Sequence, residues 1–249
     1  MLGKLIRWMQ FWIVFPLATL FATTFSGVVW ILRSLSLISE LKAANLVHNS
    51  GIFWSYFIFI GMKPWWSLKI IDRDKLVKNQ GATVIVSNHQ SVADIWSAYF
   101  LCLQFRWLSK AEVFKLPLIG KAMRVAGYIP LDRKSRESRA NVLELCRKRL
   151  QEGTSMFFYP EGTRSKDGRI KTFHMGAFQL ATEEKITLQP VVLLGTKTLF
   201  IKGGGIPGVA RVKLKVLDPI VFDETRSKEE LKKLCHETMT TELQKLELV

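Results

Sequence analysis

ATVIVSNHQSVADIW, residues 82–96, is the stretch that decides the fold. The apolar run Val84-Ile85-Val86 reads as a strand, Ser87 to Ser91 as a polar turn, and the mostly apolar VADIWSAYFLCLQ (92–104) as a helix. Working outward, the same alternation continues on both sides. SLKIID precedes it as a strand, and FRWLS, GYIPL, TSMFFY, TLQPVVLLG and RVKLKVLD follow as strands. Between them LPLIGKAMRVA, the run from Ser135 to Gln151 and FHMGAFQLATEE read as helices. Ala140, Leu143, Cys146 and Leu150 give the second of these its amphipathic spacing. The last helix opens with Ser227 and Glu230 in capping-box spacing and aligns Leu231, Leu234, Cys235, Met239, Leu243 and Leu246 on one face. Strands separated by helices of this length predict an α/β fold, a mixed and largely parallel sheet with helices on both faces. Sites in such sheets gather where strands end and loops open.

The chain ahead of this pattern is different in kind. Phe11 to Leu32 is a run of 22 residues without a charge, long enough to cross a bilayer core. GIFWSYFIFIGMKPWW (51–66) is a second apolar stretch, short for an independent span. Trp8, Trp12, Trp54, Trp65 and Trp66 near the segment ends suit a membrane interface. Two spans, one span, or a hairpin dipped into one leaflet all fit. Pro16 and the hydroxyl residues Thr19, Thr23, Thr24 and Ser26 favour the shallow hairpin. Residues 1–62 are therefore expected to be a membrane-associated helical hairpin outside the fold core, and 63–249 the α/β domain. The apolar run is too long for a signal-peptide core and lacks a small-residue cleavage site before Arg33.

The net charge is +15, with 36 Lys and Arg against 21 Asp and Glu, and most of the excess lies past Lys63. Such an excess attracts polyanions, and beside an apolar anchor the anionic membrane face takes precedence. Zinc-finger spacing, RNP aromatics and a basic zipper are missing, which argues against nucleic acid. Cys102, Cys146 and Cys235 are far apart with no CxxC, so reduced, buried thiols and a cytosolic location for the α/β part are expected. His48, His89, His174 and His236 are scattered without ligand spacing, so no metal is expected.

His89 lies just past a strand and Asp94 in the first turn of the next helix. Five residues along a helix rotate through about 140°, so the two share a contact only if His89 sits in the preceding loop and Asp94 reaches back to one ring nitrogen. That leaves the other nitrogen to accept a proton, most simply from a substrate hydroxyl. Ser91 reads as a helix N-cap before it reads as a nucleophile, because no GxSxG elbow is present. In FFYPEGTRS (157–165), Gly162 permits close backbone approach and Arg164 offers a fork suited to phosphate. An ordinary surface turn has the same composition.

Together these segments carry a resemblance. NHQSVAD is similar to the NHxxxxD block of the glycerolipid acyltransferases, and YPEGTRS to their FPEGTRS block with Tyr159 in place of phenylalanine. GYIPLDR (127–133) resembles the intervening GxxxIDR block and QPVVLLG (189–195) the VPVV block, all in the family's order. The whole looks like the family's minimal, bacterial 1-acylglycerol-3-phosphate type. The resemblance implies that His89 is a general base oriented by Asp94. It further implies that the sn-2 hydroxyl of lysophosphatidic acid attacks an acyl thioester, of acyl-carrier protein or coenzyme A, with no acyl-enzyme and no other cofactor. Glu161, Gly162, Thr163 and Arg164 would bind the glycerol phosphate, helped by Lys110 and Arg133, at the cytoplasmic face of the cell membrane. One departure stands out: FHMGAF replaces the usual FKxGA, with Lys171 three residues upstream as a possible substitute for the missing lysine. Glycerol 3-phosphate or another lysolipid as acceptor, or water in a membrane-bound hydrolase, are the alternatives.

Overall fold

The computed structural model describes residues 2–77, 81–132, 136–200 and 207–248. In chain order these form α1 (Leu2–Ser34), α2 (Glu40–Gly61), β1 (Trp66–Ile71), β2 (Val84–Ser87), α3 (Asp94–Tyr99), β3 (Phe105–Lys110), α4 (Ile119–Val125) and β4 (Ile129–Leu131). They continue with α5 (Arg136–Gln151), β5 (Ser155–Phe158), α6 (Gly176–Glu183), β6 (Leu188–Leu194), β7 (Ala210–Val216) and α7 (Lys228–Glu247). The strands make one seven-stranded sheet in the order β1-β7-β6-β2-β5-β3-β4. Every pairing is parallel except β6 with β7. β6, β2, β5, β3 and β4 therefore share one direction, and their C-terminal ends lie along one edge.

Successive side chains of a strand point to opposite faces, and both faces of this sheet are buried. Ile85, Phe157, Val191 and Leu193 pack on one side. Val84, Val86, Met156, Phe158, Leu188 and Val192 pack on the other, under α5, α6 and α7. The capping box of α7 forms as the sequence predicts, but Leu234 faces solvent instead of the core.

The first face is covered in an unexpected way. α3 has six residues, about 9 Å of helix, and cannot shield it alone. Phe11 and Ala18 of α1, Ile58 and Phe59 of α2, and Met62 after it are buried in the same cluster as Ile85 and Phe157. The expectation that residues 1–62 lie outside the core is corrected by this packing. Among the described residues only α1 is long and apolar enough to cross a membrane, whereas α2 buries Ala43, Ala44, Val47, His48 and Ser55 against the rest of the chain. The two-helix anchor is thus one apolar helix beside one that mainly packs. α3 also ends earlier than its apolar pattern predicts. The chain turns at Cys102 with φ of 55°, so this thiol is exposed while Cys146 and Cys235 are buried.

α2 is fastened by a buried polar chain. His48 Nε2 lies 2.9 Å from the Leu103 carbonyl and so carries the proton. Its Nδ1, 3.1 Å from the Tyr128 hydroxyl, accepts, and that hydroxyl is 2.6 Å from Tyr99. Burial, and then the Arg106 charge, lowers the His48 pKa to about 3 from an ordinary 6.5. The folded chain keeps this imidazole neutral while the unfolded chain protonates it. The associated stability is complete above about pH 6.5 and is lost as pH falls toward 3, at about 1.4 kcal/mol per pH unit for one proton. Denaturant unfolding at pH 7 and 4.5 is expected to show wild type losing about 2–3 kcal/mol more than His48→Gln. Equal losses in the two chains would remove His48 from the acid response.

Candidate active site

β2 ends at Ser87, and the next residue anchors the strand end. Asn88 donates from Nδ2 to the Leu193 carbonyl at 2.8 Å, and its Oδ1 accepts from the Leu193 N–H at 2.7 Å. This amide extends the β2–β6 pairing by one step, a role that the sequence analysis left unassigned. The only hint was a carboxamide next to the histidine at a strand end.

His89 then leaves the sheet, held on both sides of its backbone. Its N–H donates to Glu161 Oε1 at 2.7 Å, and its carbonyl accepts from the Ser165 N–H at 2.7 Å. The ring stacks on Tyr159 with centroids 4.1 Å apart and an interplanar angle of 17°. Nδ1 lies 2.7 Å from Asp94 Oδ2. That same oxygen accepts the N–H groups of Gln90 at 2.6 Å and Ser91 at 2.8 Å. That oxygen is the shared acceptor of these contacts, so Nδ1 carries the proton and Nε2 is the basic nitrogen. Ser91 is drawn into this loop: its Oγ accepts from the Ala93 N–H at 3.3 Å, shaping the turn ahead of α3, while Ala93 occupies the N-cap position. The Tyr159 phenol is buried, and burial, followed by the charges of Asp94 and the nearby Tyr99, pushes its pKa well above the usual value. It is a neutral stacking partner.

The turn after β5 supplies the second half. Glu161 is buried with both oxygens engaged, Oε1 by His89 and Oε2 by the Lys171 N–H at 3.1 Å. Burial raises its pKa, and these two backbone bonds oppose the rise. Gly162 has φ of +66°, and a Cβ there would lie 2.9 Å from His174 Cδ2 and Nε2. Thr163 and Arg164 are exposed. Lys171 Nζ donates to the Arg164 carbonyl at 3.0 Å, and the His174 N–H to Pro160 at 2.8 Å. Lys110 is exposed at the C-terminal end of β3, and the β3–β5 register, Trp107 with Phe157, places it on the same sheet edge as the turn. Arg133 lies outside the described residues.

A histidine paired through Nδ1 with a buried carboxylate thus stands on the C-terminal edge of a mostly parallel sheet beside a turn of exposed cations, an arrangement able to accept a proton next to an anion. The Acyltransferase family matches over residues 68–194, and the chain belongs to it. It is similar to the chloroplastic 1-acyl-sn-glycerol-3-phosphate acyltransferase LPAT1 of Arabidopsis thaliana, 36% identical over 177 residues that cover 68% of this chain and 50% of that protein. A 1-acyl-sn-glycerol-3-phosphate acyltransferase of Helicobacter pylori is 32% identical over 149 residues, 57% of this chain and 61% of its own. The chain thus aligns with about half the length of the chloroplast relative. In fold it matches the 1-acyl-sn-glycerophosphate (LPA) acyltransferase PlsC of Thermotoga maritima with a TM-score of 0.81, 24% identity, and coverage of 99% of this chain and 97% of that one.

Proposed function

We propose that this chain transfers a fatty acyl group from an acyl thioester to the sn-2 hydroxyl of 1-acylglycerol 3-phosphate, forming phosphatidic acid. The observation that carries the reading is the His89–Asp94 pair, whose Nδ1 bond leaves Nε2 as base at the edge that also bears the Glu161–Arg164 turn. Nε2 takes the hydroxyl proton as the oxygen attacks the thioester carbonyl. The tetrahedral intermediate collapses by breaking the C–S bond, and the imidazolium returns the proton to the departing sulfur. Asp94 stabilises the imidazolium between these steps, and no acyl-enzyme is needed. The N–H groups of His89, Gln90 and Ser91 are committed to Glu161 and Asp94. This leaves the turn at Thr163 and Arg164 to meet substrate oxygens.

Arg164, Lys110 and Lys171 supply cations for the acceptor phosphate, with Arg133 a further candidate. Glu161 and Gly162 act by shaping the turn. The exposed apolar side of α1, with Leu5, Trp8, Trp12, Leu20 and Phe21, suits a membrane surface and supports, in this reading, a site that meets its lipid acceptor at the cytoplasmic leaflet. The donor is a thioester of acyl-carrier protein or coenzyme A, both anionic, which the basic surface favours. The chain needs no other cofactor in this reading.

The test uses purified protein in mixed micelles with a labelled acyl thioester, comparing lysophosphatidic acid, glycerol 3-phosphate and no acceptor. Phosphatidic acid formed from lysophosphatidic acid alone is the expected result. Acylation of glycerol 3-phosphate instead, or fatty-acid release without acceptor, would replace the reading by its alternatives. In the same assay Arg164→Ala is expected to raise the acceptor KM about 10–100-fold, the loss of one charge-assisted contact, with donor KM and kcat little changed. A raised donor KM with an unchanged acceptor KM would overturn the phosphate assignment.

A further inference from the structure

A second cationic site lies at the opposite edge of the sheet, where the parallel strands begin. Arg106, the second residue of β3, is 2% exposed. Its guanidinium donates to the Phe105 carbonyl at 3.1 Å, Gln104 Oε1 at 3.4 Å and Asn45 Oδ1 at 2.6 Å. All three acceptors are neutral, and among the described residues no carboxylate forms an ion pair with Arg106. An unneutralised buried charge is costly, so its persistence calls for an anion. Arg149 converges on the same point: a Cβ on Gly127, at φ of +70°, would lie 3.5 Å from Arg106 Nε and 3.7 Å from Arg149 Nη2.

These two arginines open onto a cavity of about 560 Å³ whose wall also carries Lys148 and Thr154. The carboxylates there are taken. Glu152 lies 2.9 Å from Arg149, and Glu40 lies 3.1 Å from Arg33 and 4.0 Å from Arg149. Two carboxylates thus face three lining cations, Arg106, Lys148 and Arg149. The rim is apolar, formed by the exposed side chains of Leu41 and Leu145, and Leu35 and Leu37 are exposed in the adjoining α1–α2 turn.

We propose that this cavity binds the phosphate of an anionic phospholipid, as a second lipid site separate from the His89 edge. Free phosphate shares the headgroup chemistry, but only a lipid also uses the rim: its chains leave past Leu41 and Leu145 toward the bare leucines of the turn. The cavity is large enough for a phosphate and its glycerol.

The test is calorimetric titration of the full chain in neutral detergent micelles, in an Arg164→Ala background that weakens headgroup binding at the His89 edge. The probes are dioctanoyl phosphatidylglycerol, dioctanoyl phosphatidylcholine and inorganic phosphate. Phosphatidylglycerol is expected to bind at least about tenfold more tightly than either other probe, and Lys148→Gln with Arg149→Gln to weaken it at least about tenfold. Equal binding of the two lipids, or affinity untouched by the double variant, would overturn the proposal. Inorganic phosphate binding as tightly as phosphatidylglycerol, and competing with it, would make this a free-anion site and overturn the lipid assignment. Arg106→Gln is expected to match the double variant. If it fails to fold, the two surface substitutions still decide.

Discussion

Replacing His89 with alanine is expected to lower the rate of acyl transfer to lysophosphatidic acid by about a hundredfold to ten-thousandfold, the range of a positioned general base. The acceptor KM should change little, because the proposed function gives the phosphate to the turn and not to the imidazole. Asp94→Asn is the sharper probe. An asparagine oxygen can still accept the Gln90 and Ser91 N–H groups that now converge on Oδ2, so the loop should keep its shape. That same oxygen faces Nδ1, so the amide NH2 takes the place of Oδ1 and the ring keeps its tautomer, but the neutral side chain stabilises the imidazolium far less. A loss of about a hundredfold or more is expected, with the melting temperature nearly unchanged. Asp94→Ala instead leaves two buried N–H groups without a partner and is expected to lose about 1–3 kcal/mol of stability for each as well. Initial rates with a labelled thioester, alongside thermal melts, separate these cases. Rates within about threefold of wild type for both His89→Ala and Asp94→Asn would remove the pair from the chemistry.

Deleting residues 1–62 is expected to abolish folding, not merely to release the chain from a membrane. Phe11, Ile58, Phe59 and Met62 are buried in the cluster that covers one face of the sheet. Each such side chain contributes about 1.5–3 kcal/mol when buried, so the four together are comparable to the whole net stability of about 5–15 kcal/mol for a domain. His48 and its link to Tyr128 and Leu103 would also go. Near-ultraviolet circular dichroism and thermal melting of the 63–249 fragment make the test. A soluble fragment with a cooperative transition would show that α3 and the strands close that face without help.

Much of this was legible in the sequence because it is local. The alternation of strands and helices was readable from runs of a few residues, and the His89–Asp94 contact spans five positions at a strand-to-helix turn, where backbone geometry leaves little choice. What escaped depends on distant partners. Glu161 reaches the His89 N–H across 72 residues, and Asn88 pairs with Leu193 across 105. The apolar faces of α1 and α2 misled for a related reason: hydropathy records that a side chain avoids water, not whether lipid or protein receives it. Cys102 and Leu234 are exposed because α3 ends early and Leu234 sits at the edge of the apolar stripe of α7, differences too small for periodicity to resolve. The pairing of Arg106 with Arg149 at Gly127 left no pattern at all, since the three residues come from separate elements.

Glu161 grips the chain on two sides, taking the His89 N–H with one oxygen and the Lys171 N–H with the other. The base and the turn are riveted through one side chain, so they are not independent parts for an engineer. Trimming an exposed side chain such as Arg164 leaves the rivet in place and should read out in binding. Lengthening the turn shifts the rivet, and a change meant only to admit a bulkier acceptor would arrive as a slower proton transfer.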